Sequence, residues 1–291
     1  MTNYQGRLEQ DVNLARYCTW RVGGPAQYIF YPEDLQDLSL FFAQGEAGPY
    51  TWLGLGSNVL IRDGGIPGTV IFTQDFLDEI VEIDDQTLLV QAGVPCAKIA
   101  KFCARLGLAD AEFFAGIPGT LGGALAMNAG AYGGETWTCV VEVETINANG
   151  VVQVRKPSEY QIGYRTAKGP EEWFVSAKLH FKKGISREVA ARIKELLHQR
   201  NESQPIGLPS GGSVFRNPPG NYAARLIESA GLKGFQISGA QVSPKHANFI
   251  INTGTARAAD IEELIAHLQK TVYDLHGILL EPEVRILGVV G

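Results

Sequence analysis

The segment Gly116–Glu135, GIPGTLGGALAMNAGAYGGE, constrains the fold most strongly because it places seven glycines in twenty positions. Glycine loses more backbone entropy on folding than any other residue, so such a run is costly to order. Glycine, small alanines and one amide, Asn128, are typical of a main-chain wall that lies flat against an extended ligand. A close-packed, glycine-rich core is the alternative interpretation.

Another glycine segment, Gly54–Asn58, comes earlier in the chain and follows a predicted strand, so it is the first glycine segment and Gly116–Glu135 is the second. The first segment lacks the third glycine of a dinucleotide fingerprint, and Val59, Leu60 and Ile61 predict a strand where that motif opens a helix. No GK[ST] sequence occurs in either segment, which excludes a P-loop. Successive N–H groups of such a loop can still bind a pyrophosphate, with Ser57 and Asn58 adding side-chain donors. A simple turn at a strand end is the alternative.

Composition and charge limit the class of protein. With 291 residues, 45% hydrophobic and 19% charged, the chain is typical of a globular protein of two domains, or of one with an inserted lobe. The net charge of −6 argues against binding to nucleic acid or to an anionic membrane. No apolar run has transmembrane length, and the start resembles no signal peptide, so we expect a cytoplasmic protein. The four cysteines lack CxxC spacing and nearby histidines, and we expect buried thiols without metal or disulfide: Cys18, Cys96, Cys103 and Cys139.

The sequence up to about Lys183 is rich in strand-like segments, interrupted by two predicted helices. PEDLQDLSLFFAQ predicts a helix that starts at Pro32, and PCAKIAKFCARLGL predicts one that ends with Gly107 at the C′ position. Asn149-Gly150 between two alternating segments predicts a hairpin turn.

The remainder alternates helical and strand-like segments. A charged amphipathic helix is predicted over Ser186–Ser203, followed by the short helix AARLIESAGLKG and the strand NFIIN. A further helix that ends at Gly277 carries one apolar stripe, formed by Ile261, Leu264, Ile265, Leu268, Val272 and Leu275. The tail ILLEPEVRILGVV predicts a strand that returns to a sheet. Together these patterns predict an α+β protein.

Six motifs in order carry a resemblance to a known family, from about Thr19 to Gly288. They are TWRVGGPA (19–26), LGLGSNVL (53–60), Gly116–Glu135, Gly163-Tyr164-Arg165, GGSVFRNP (211–218) and LEPEVR (280–285). In this order and spacing, the chain resembles the UDP-N-acetylenolpyruvoylglucosamine reductase family, in its shorter form without a lid.

The resemblance implies a two-lobed FAD-binding domain of the vanillyl-alcohol-oxidase (PCMH) type and a smaller α/β substrate-binding domain. The expected limits are 1–200 for the FAD-binding domain, with lobes of about 1–68 and 69–200 and a completing strand at 278–291, and 201–277 for the substrate-binding domain. It also implies NADPH as co-substrate and a UDP-sugar substrate, whose enolpyruvyl ether is reduced to give UDP-N-acetylmuramate. No obligate protein partner is implied. The FAD is expected to be non-covalent. A histidyl link is unavailable because the first histidine, His180, lies beyond both glycine segments, while attachment through cysteine is the alternative that stays open.

Site residues are carried over from the family by position. Arg165 would hold the substrate carboxylate, Ser213 would donate the proton, and Glu283 would stabilise the enol intermediate. The expected substrate contacts are Asn217, Arg285 and Tyr164. The expected FAD contacts are Gly54, Gly56, Ser57, Asn58, Gly116, Ile117, Pro118, Gly119, Thr120, Gly122, Gly123, Asn128, Gly130 and Ala131.

Each catalytic candidate has a plainer interpretation. Arg165 could be a surface residue at a strand end, and Ser213 a turn serine after two glycines. Period-two alternation predicts a strand with Glu281, Glu283 and Arg285 on one face, so Glu283 and Arg285 could be a structural ion pair.

Departures from the family pattern and other functions remain open. Thr166-Ala167 follow Arg165, where the family has a residue and then serine, and only Thr166–Glu172 separate Arg165 from the next strand, which leaves no room for a tyrosine-bearing lid. Lys233, Lys245 and His246 could serve the UDP phosphates. An FAD-dependent alcohol or hydroxy-acid oxidase of the same superfamily is the alternative enzyme, and a non-catalytic flavin-binding regulator is the alternative without chemistry.

Overall fold

The structure is a computed structural model that describes residues 4–45 and 48–291. Its α-helices are, in chain order, α1 (Leu35–Ala43), α2 (Cys96–Leu106), α3 (Leu121–Met127), α4 (Ser186–Ser203), α5 (Ala223–Ser229) and α6 (Ala258–His276).

Short strands make up most of the remaining regular structure. In chain order they are β1 (Arg7–Asn13), β2 (Pro25–Tyr31), β3 (Tyr50–Leu53), β4 (Val59–Ile61), β5 (Ile66–Phe72), β6 (Ile80–Glu82), β7 (Thr87–Gln91), β8 (Leu108–Ala109), β9 (Gly130–Ala131), β10 (Gly134–Glu135), β11 (Val140–Ile146), β12 (Val152–Arg155), β13 (Gln161–Gly163), β14 (Thr166–Lys168), β15 (Trp173–His180), β16 (Lys182–Lys183), β17 (Gln236–Ile237), β18 (Ala240–Val242), β19 (Ile250–Asn252) and β20 (Arg285–Leu287). One sheet has the order β1-β2-β5-β3, in which β3 and β5 are parallel.

The chain forms two compact units. Unit 1 comprises Met1–Glu9, Tyr28–Leu55 and Gly68–Gln199, and unit 2 comprises Gln10–Gln27, Gly56–Pro67 and Arg200–Gly291. This division separates Gly56–Asn58 from Gly54 and groups two early segments of the chain with its last third. The domain limits expected from the sequence stay a prediction, and they do not follow this interleaved pattern.

Unit 1 is built on an antiparallel sheet of order β12-β11-β15-β7-β6. Each of β7, β11, β15, α2 and α3 buries one apolar face, and these faces pack together to form its core. Val143, Ala177 and Ile99 are among the fully buried residues. A polar tie supports the sheet: the Arg155 guanidinium donates to both carboxylate oxygens of Glu172 at 3.1 and 2.6 Å. These hydrogen bonds lower the pKa of Glu172.

Unit 2 contains the antiparallel sheet β17-β18-β19 and the parallel pair β4–β20. Asp63 accepts hydrogen bonds from the first two N–H groups of α6, Ala258 and Ala259, at 3.0 Å each. Arg62 pairs with Glu262 on the same helix at 2.6 Å, and its hydrogen bond lowers the pKa of Glu262. These contacts explain why residues 56–67 belong with the last third of the chain.

Several predicted elements are confirmed. Gly107 and Gly277 follow α2 and α6 with φ of +69° and +65°, the left-handed conformation that glycine adopts most readily. The predicted turn at Asn149-Gly150 joins β11 to β12, and the helix over Ser186–Ser203 has the predicted limits.

Three expectations are wrong in detail. The first helix begins at Leu35 rather than Pro32, because the Asp34 carboxylate accepts the N–H of Asp37 at 2.7 Å and caps it. Leu275 leaves the apolar stripe of α6 and is 61% exposed. The strand near the end begins only at Arg285, so Glu281 and Glu283 do not lie on it.

Candidate active site

The second glycine segment, Gly116–Glu135, contains a helix and a hairpin. Thr120 precedes α3, Asn128 ends the helix in a left-handed conformation at φ +40°, and β9 and β10 form a hairpin after it. Leu121 and Leu125 of α3 are buried in the core of unit 1, and the contact of this segment with an extended ligand stays a prediction.

Three of its seven glycines are required by neighbouring protein atoms. A β-carbon on Gly116 would overlap the Tyr132 ring, one on Gly130 the Gly134 carbonyl oxygen, and one on Gly134 would lie 2.6 Å from the Phe113 ring. Gly123 differs: it is exposed, and a β-carbon there would meet only Thr120 Oγ1, 4.0 Å away. Gly123 is thus the position of α3 where main chain can face a bound molecule.

Asn128 ties this segment to the next candidate. Its Nδ2 donates to Glu135 Oε2 at 2.9 Å and to the Gly163 carbonyl at 3.1 Å, and its Oδ1 accepts the N–H of Trp137 at 3.2 Å. Asn128 is buried, with 1% of the residue exposed. Its predicted contact with FAD stays a prediction, while these bonds give it a structural function.

Arg165 lies in the tight turn between β13 and β14, in a left-handed conformation at φ +55°. Its Nη1 donates to the Gly130 carbonyl at 3.1 Å, and its guanidinium carbon lies 5.3 Å from the centroid of the Tyr164 ring. A non-glycine residue in this conformation is uncommon and costs energy, and such strain occurs preferentially at functional sites. The glycine segment, through Gly130, thus orients the candidate cation.

The first glycine segment has different constraints. Gly56 has φ +61°, and a β-carbon there would overlap the Tyr17 carbonyl oxygen. The segment leads into β4 rather than into a helix, which confirms that it is not a dinucleotide fingerprint. Among the hydrogen bonds of the described chain, the main-chain N–H groups of Ser57 and Asn58 donate none. Consecutive free N–H groups beside a left-handed glycine suit the pyrophosphate of FAD.

The Asn58 side chain contacts the main chain of Glu283, another of the catalytic candidates. Its Nδ2 donates to the main-chain carbonyl of Glu283 at 3.2 Å. The main-chain carbonyl of Asn58 accepts the N–H of Arg285 at 3.0 Å. The predicted FAD contact of Asn58 is untested, and its amide holds the Glu283 main chain.

Ser213 and Glu283 are brought together by main-chain pairing in unit 2. The Glu283 N–H donates to the Val214 carbonyl at 2.7 Å, next to Ser213. Asn248 holds the same loop, because its carbonyl accepts the N–H of Val214 at 2.8 Å and its side chain bonds both main-chain groups of Phe215. This pairing occurs although about seventy positions separate Ser213 from Glu283.

The predicted substrate contacts occupy varied positions. Asn217 is exposed, and its Oδ1 accepts the N–H of Ala223 at 3.0 Å, at the start of α5. Arg285 is exposed at the first position of β20, and Tyr164 is 49% exposed. Their contacts with substrate stay predictions.

The loosely assigned cations are engaged within the protein. Lys233 pairs with Glu228 at 2.9 Å, and Lys245 donates to the Asn201 carbonyl. Burial lowers the pKa of His246, which favours the neutral ring at neutral pH.

The cysteines are free thiols, as expected. Burial raises the pKa of Cys18, Cys96 and Cys139, and that of Cys103 to about 12, so they are poor nucleophiles. Within residues 4–45 and 48–291 there is no cluster of side chains suited to a metal ion. A cavity of about 650 Å³ in unit 1, lined in part by Phe113, includes none of the predicted site residues.

The sequence identified Thr19 only as part of a motif and did not predict that it contacts two loops of the site. Its N–H donates to the Gly56 carbonyl at 3.1 Å, and its hydroxyl donates to the Ser210 carbonyl at 2.6 Å. No local pattern predicts a contact between positions 191 apart. The only available signal was the co-occurrence of its motif with the two loops it contacts.

None of the helices described is both long and apolar enough to cross a membrane. Residues 26–155 match the family model described as FAD binding domain, and residues 204–287 match the C-terminal domain of UDP-N-acetylenolpyruvoylglucosamine reductase.

Three relatives show the extent of the similarity. The UDP-N-acetylenolpyruvoylglucosamine reductase of Alkalilimnicola ehrlichii is 54% identical over 285 residues, which cover 97% of this chain and 95% of that protein. Its counterpart from Legionella pneumophila is 53% identical, with 99% of this chain and 96% of that protein covered. The crystal structure of the Thermus caldophilus enzyme superimposes with a TM-score of 0.85 at 34% identity, covering 98% of this chain and 100% of that one.

This similarity confirms the expected fold class, with its FAD-binding domain and smaller second domain. The relatives carry the name of the reductase and not that of an oxidase. Because identity above one half extends over nearly the whole chain, the protein belongs to the UDP-N-acetylenolpyruvoylglucosamine reductase family.

Proposed function

We propose that the protein is an FAD-dependent oxidoreductase that uses NADPH to reduce the enolpyruvyl ether of a UDP-N-acetylglucosamine derivative. The product would be UDP-N-acetylmuramate, a precursor of peptidoglycan. The observation that carries this proposal is the 54% identity, over 97% of the chain, with a protein named for that activity. The match of residues 26–155 to an FAD-binding domain supports the cofactor.

The FAD would be held mainly by main-chain groups. In unit 2, the N–H groups of Ser57 and Asn58 are available for its pyrophosphate. In unit 1, Gly123 is exposed and is proposed as a main-chain contact of FAD. When bound, FAD supplies the hydride that the enolpyruvyl carbon receives, with NADPH as the source. The catalytic groups of the chain need only manage the charge and the proton that this reaction requires.

Arg165 is proposed to bind the carboxylate of the enolpyruvyl group. Negative charge develops on the carbon beside that carboxylate, and a guanidinium stabilises the resulting enolate because it stays charged and can donate two parallel hydrogen bonds. The hydrogen bond from Arg165 to the Gly130 carbonyl orients the guanidinium, which carries five N–H donors.

Ser213 is proposed to donate the proton to that carbon. A serine hydroxyl is a weak acid, but proton transfer to a carbanion is strongly downhill, so the position of the hydroxyl matters more than its acidity. Glu283, whose main chain is bonded next to Ser213, would stabilise the enol. The left-handed Gly212 before Ser213, with φ +77°, gives the turn that presents the hydroxyl.

The UDP portion of the substrate and a cytoplasmic location complete the proposal. Four free cysteines, three of them buried and Cys139 half-buried, fit a reducing compartment. The residues that contact the uridine and the diphosphate are not assigned, and no obligate protein partner is proposed.

A visible absorption spectrum of the purified protein tests the proposal. We expect flavin bands that bleach with NADPH and return when the enolpyruvyl sugar nucleotide is added without oxygen. Protein that cannot bind added FAD, or that is not reoxidised by this substrate, would contradict it.

Ser213→Ala tests the proton donor. We expect the NADPH half-reaction to stay near normal and the reoxidation by substrate to slow by roughly 10³-fold or more, because only the second step needs the hydroxyl. Ser229→Ala, which removes a hydroxyl on α5, serves as the control. Equal losses in both half-reactions would assign Ser213 a structural function.

A further inference from the structure

In unit 2, Thr19 bonds two loops that the proposed mechanism uses. The first is the glycine loop Gly56–Asn58, and the second is the loop Ser210–Ser213, which carries the proposed proton donor. Thr19 lies on neither loop, and its hydrogen bonds reach both.

These bonds come from different parts of Thr19. Its main-chain N–H donates to the Gly56 carbonyl at 3.1 Å. Its hydroxyl donates to the Ser210 carbonyl at 2.6 Å and, more weakly, to the Gly56 carbonyl at 3.3 Å. A side-chain substitution therefore removes the only bond of Thr19 to the Ser210 loop, while the main-chain bond to Gly56 remains.

Trp20 makes this arrangement rigid. It is fully buried, its Nε1 donates to the Ile250 carbonyl at 2.7 Å, and its carbonyl accepts the Nδ2 of Asn252 at 2.9 Å. A β-carbon on Gly211 would lie 2.5 Å from the Trp20 ring, so the ring packs directly against the Ser213 loop. Trp20 thus anchors the main chain next to Thr19 to β19.

We propose that Thr19 is a positioning residue that sets the distance between the cofactor loop Gly56–Asn58 and the Ser213 hydroxyl. The inference rests on the proposed function, and it adds a residue that acts through the placement of Ser213. Proton donation depends on placement to within a fraction of an ångström. A loop released from Thr19 would keep Ser213 but misplace its hydroxyl.

The test compares Thr19→Val and Thr19→Ser with Thr253→Val. Valine keeps the shape and the main-chain bond of Thr19 and removes only the hydroxyl. Thr253 is a matched control, because its hydroxyl also donates to a main-chain carbonyl of unit 2, that of Gly239 at 3.0 Å, away from both loops.

The first readout requires no activity. The measurement is amide hydrogen exchange of the FAD-loaded protein without substrate. In Thr19→Val, exchange at Val214 and Phe215 should accelerate by about ten-fold, because the loss of one hydrogen bond changes the opening equilibrium by about that factor. It should stay within about two-fold of wild type in Thr19→Ser and Thr253→Val. Unchanged exchange in Thr19→Val would overturn the inference, whatever the protein catalyses.

The second readout separates positioning from general destabilisation. Reoxidation by the enolpyruvyl substrate should slow by about ten-fold in Thr19→Val, while reduction by NADPH changes less than about two-fold, and serine should restore the rate. Equal losses in both half-reactions, or failure of serine to restore the rate, would overturn the inference. If the wild-type protein is not reoxidised by this substrate, the proposed function is contradicted instead. The exchange measurement then still tests whether Thr19 holds the Ser213 loop.

Discussion

The two glycine segments differ in what their glycines contact. In Gly116–Glu135, β-carbons on Gly116, Gly130 and Gly134 would collide with the segment's own hairpin or with Phe113, so these three glycines serve close packing of protein on protein. In Gly54–Asn58, one glycine is fixed by the Tyr17 carbonyl, and the next two residues present N–H groups that bond nothing in the described chain. Glycine richness therefore reports main-chain crowding, and only free N–H groups indicate a site for an anion.

The largest effect is expected for Gly56→Ala. The added methyl group would overlap a main-chain oxygen, which cannot rotate away, and φ is +61°. We expect the free energy of unfolding to fall by about 4 kcal/mol, and FAD to be lost with it. Thermal unfolding and the flavin content of the purified protein measure both; a stable, yellow variant would show that this loop yields more easily than its contacts imply.

Asn128→Ala tests whether the amide of the second segment is structural. Three hydrogen bonds would be lost inside unit 1, and alanine is strained at φ +40°. The loss of stability should be about 3 kcal/mol, and equal with and without FAD. A loss seen only in the FAD-loaded protein would instead make Asn128 a cofactor contact, and Asn128→Asp at the same site checks the donor bonds separately.

Gly116→Ala should cost about 2 kcal/mol, because the methyl group would push against the Tyr132 ring, itself held by a hydroxyl bond to the Leu196 carbonyl at 3.0 Å. In a double-mutant cycle, Tyr132→Ala should relieve part of this cost. Additive effects of the two substitutions would mean that the ring is not what glycine accommodates.

Gly123→Ala should have the smallest effect on folding and the opposite sign. Alanine favours a helix over glycine by about 0.5–1 kcal/mol, and the site on α3 is open. The apoprotein should become slightly more stable while FAD binds more weakly, as titration of the apoprotein with FAD would reveal. Gly122→Ala is the control on the same helix, because its methyl group would press on Ala92 at 3.1 Å. Unchanged affinity in Gly123→Ala would remove Gly123 from the cofactor site.

Local chemistry predicted the elements whose ends depend on one residue. Gly107 and Gly277 end their helices as expected, and Asn149-Gly150 forms its hairpin turn. The first helix was placed three residues too early, because the capping carboxylate of Asp34 decides the start, and the sequence also permits Pro32 at the first turn.

The start of β20 and the contacts of Glu283 and Thr19 depend on pairing between distant parts of the chain, which local sequence patterns do not predict. Period-two alternation suggested that Glu283 lies on a strand, but β20 begins at Arg285, where pairing with β4 starts. Before that point the chain bonds to the Ser213 loop instead. The proximity of Ser213 and Glu283 followed from the resemblance to a family and not from spacing. The contact of Thr19 with both loops had no local signal.

The parallel pair β4–β20 has a consequence for the order of events during synthesis. Residues 59–61 leave the ribosome early, but their partners, residues 285–287, follow more than two hundred residues later. The Gly56–Asn58 loop must therefore wait, unsupported on that side, until the late strand has emerged. Nascent chains halted before residue 285 should accordingly retain no flavin, although most of the protein has already been made.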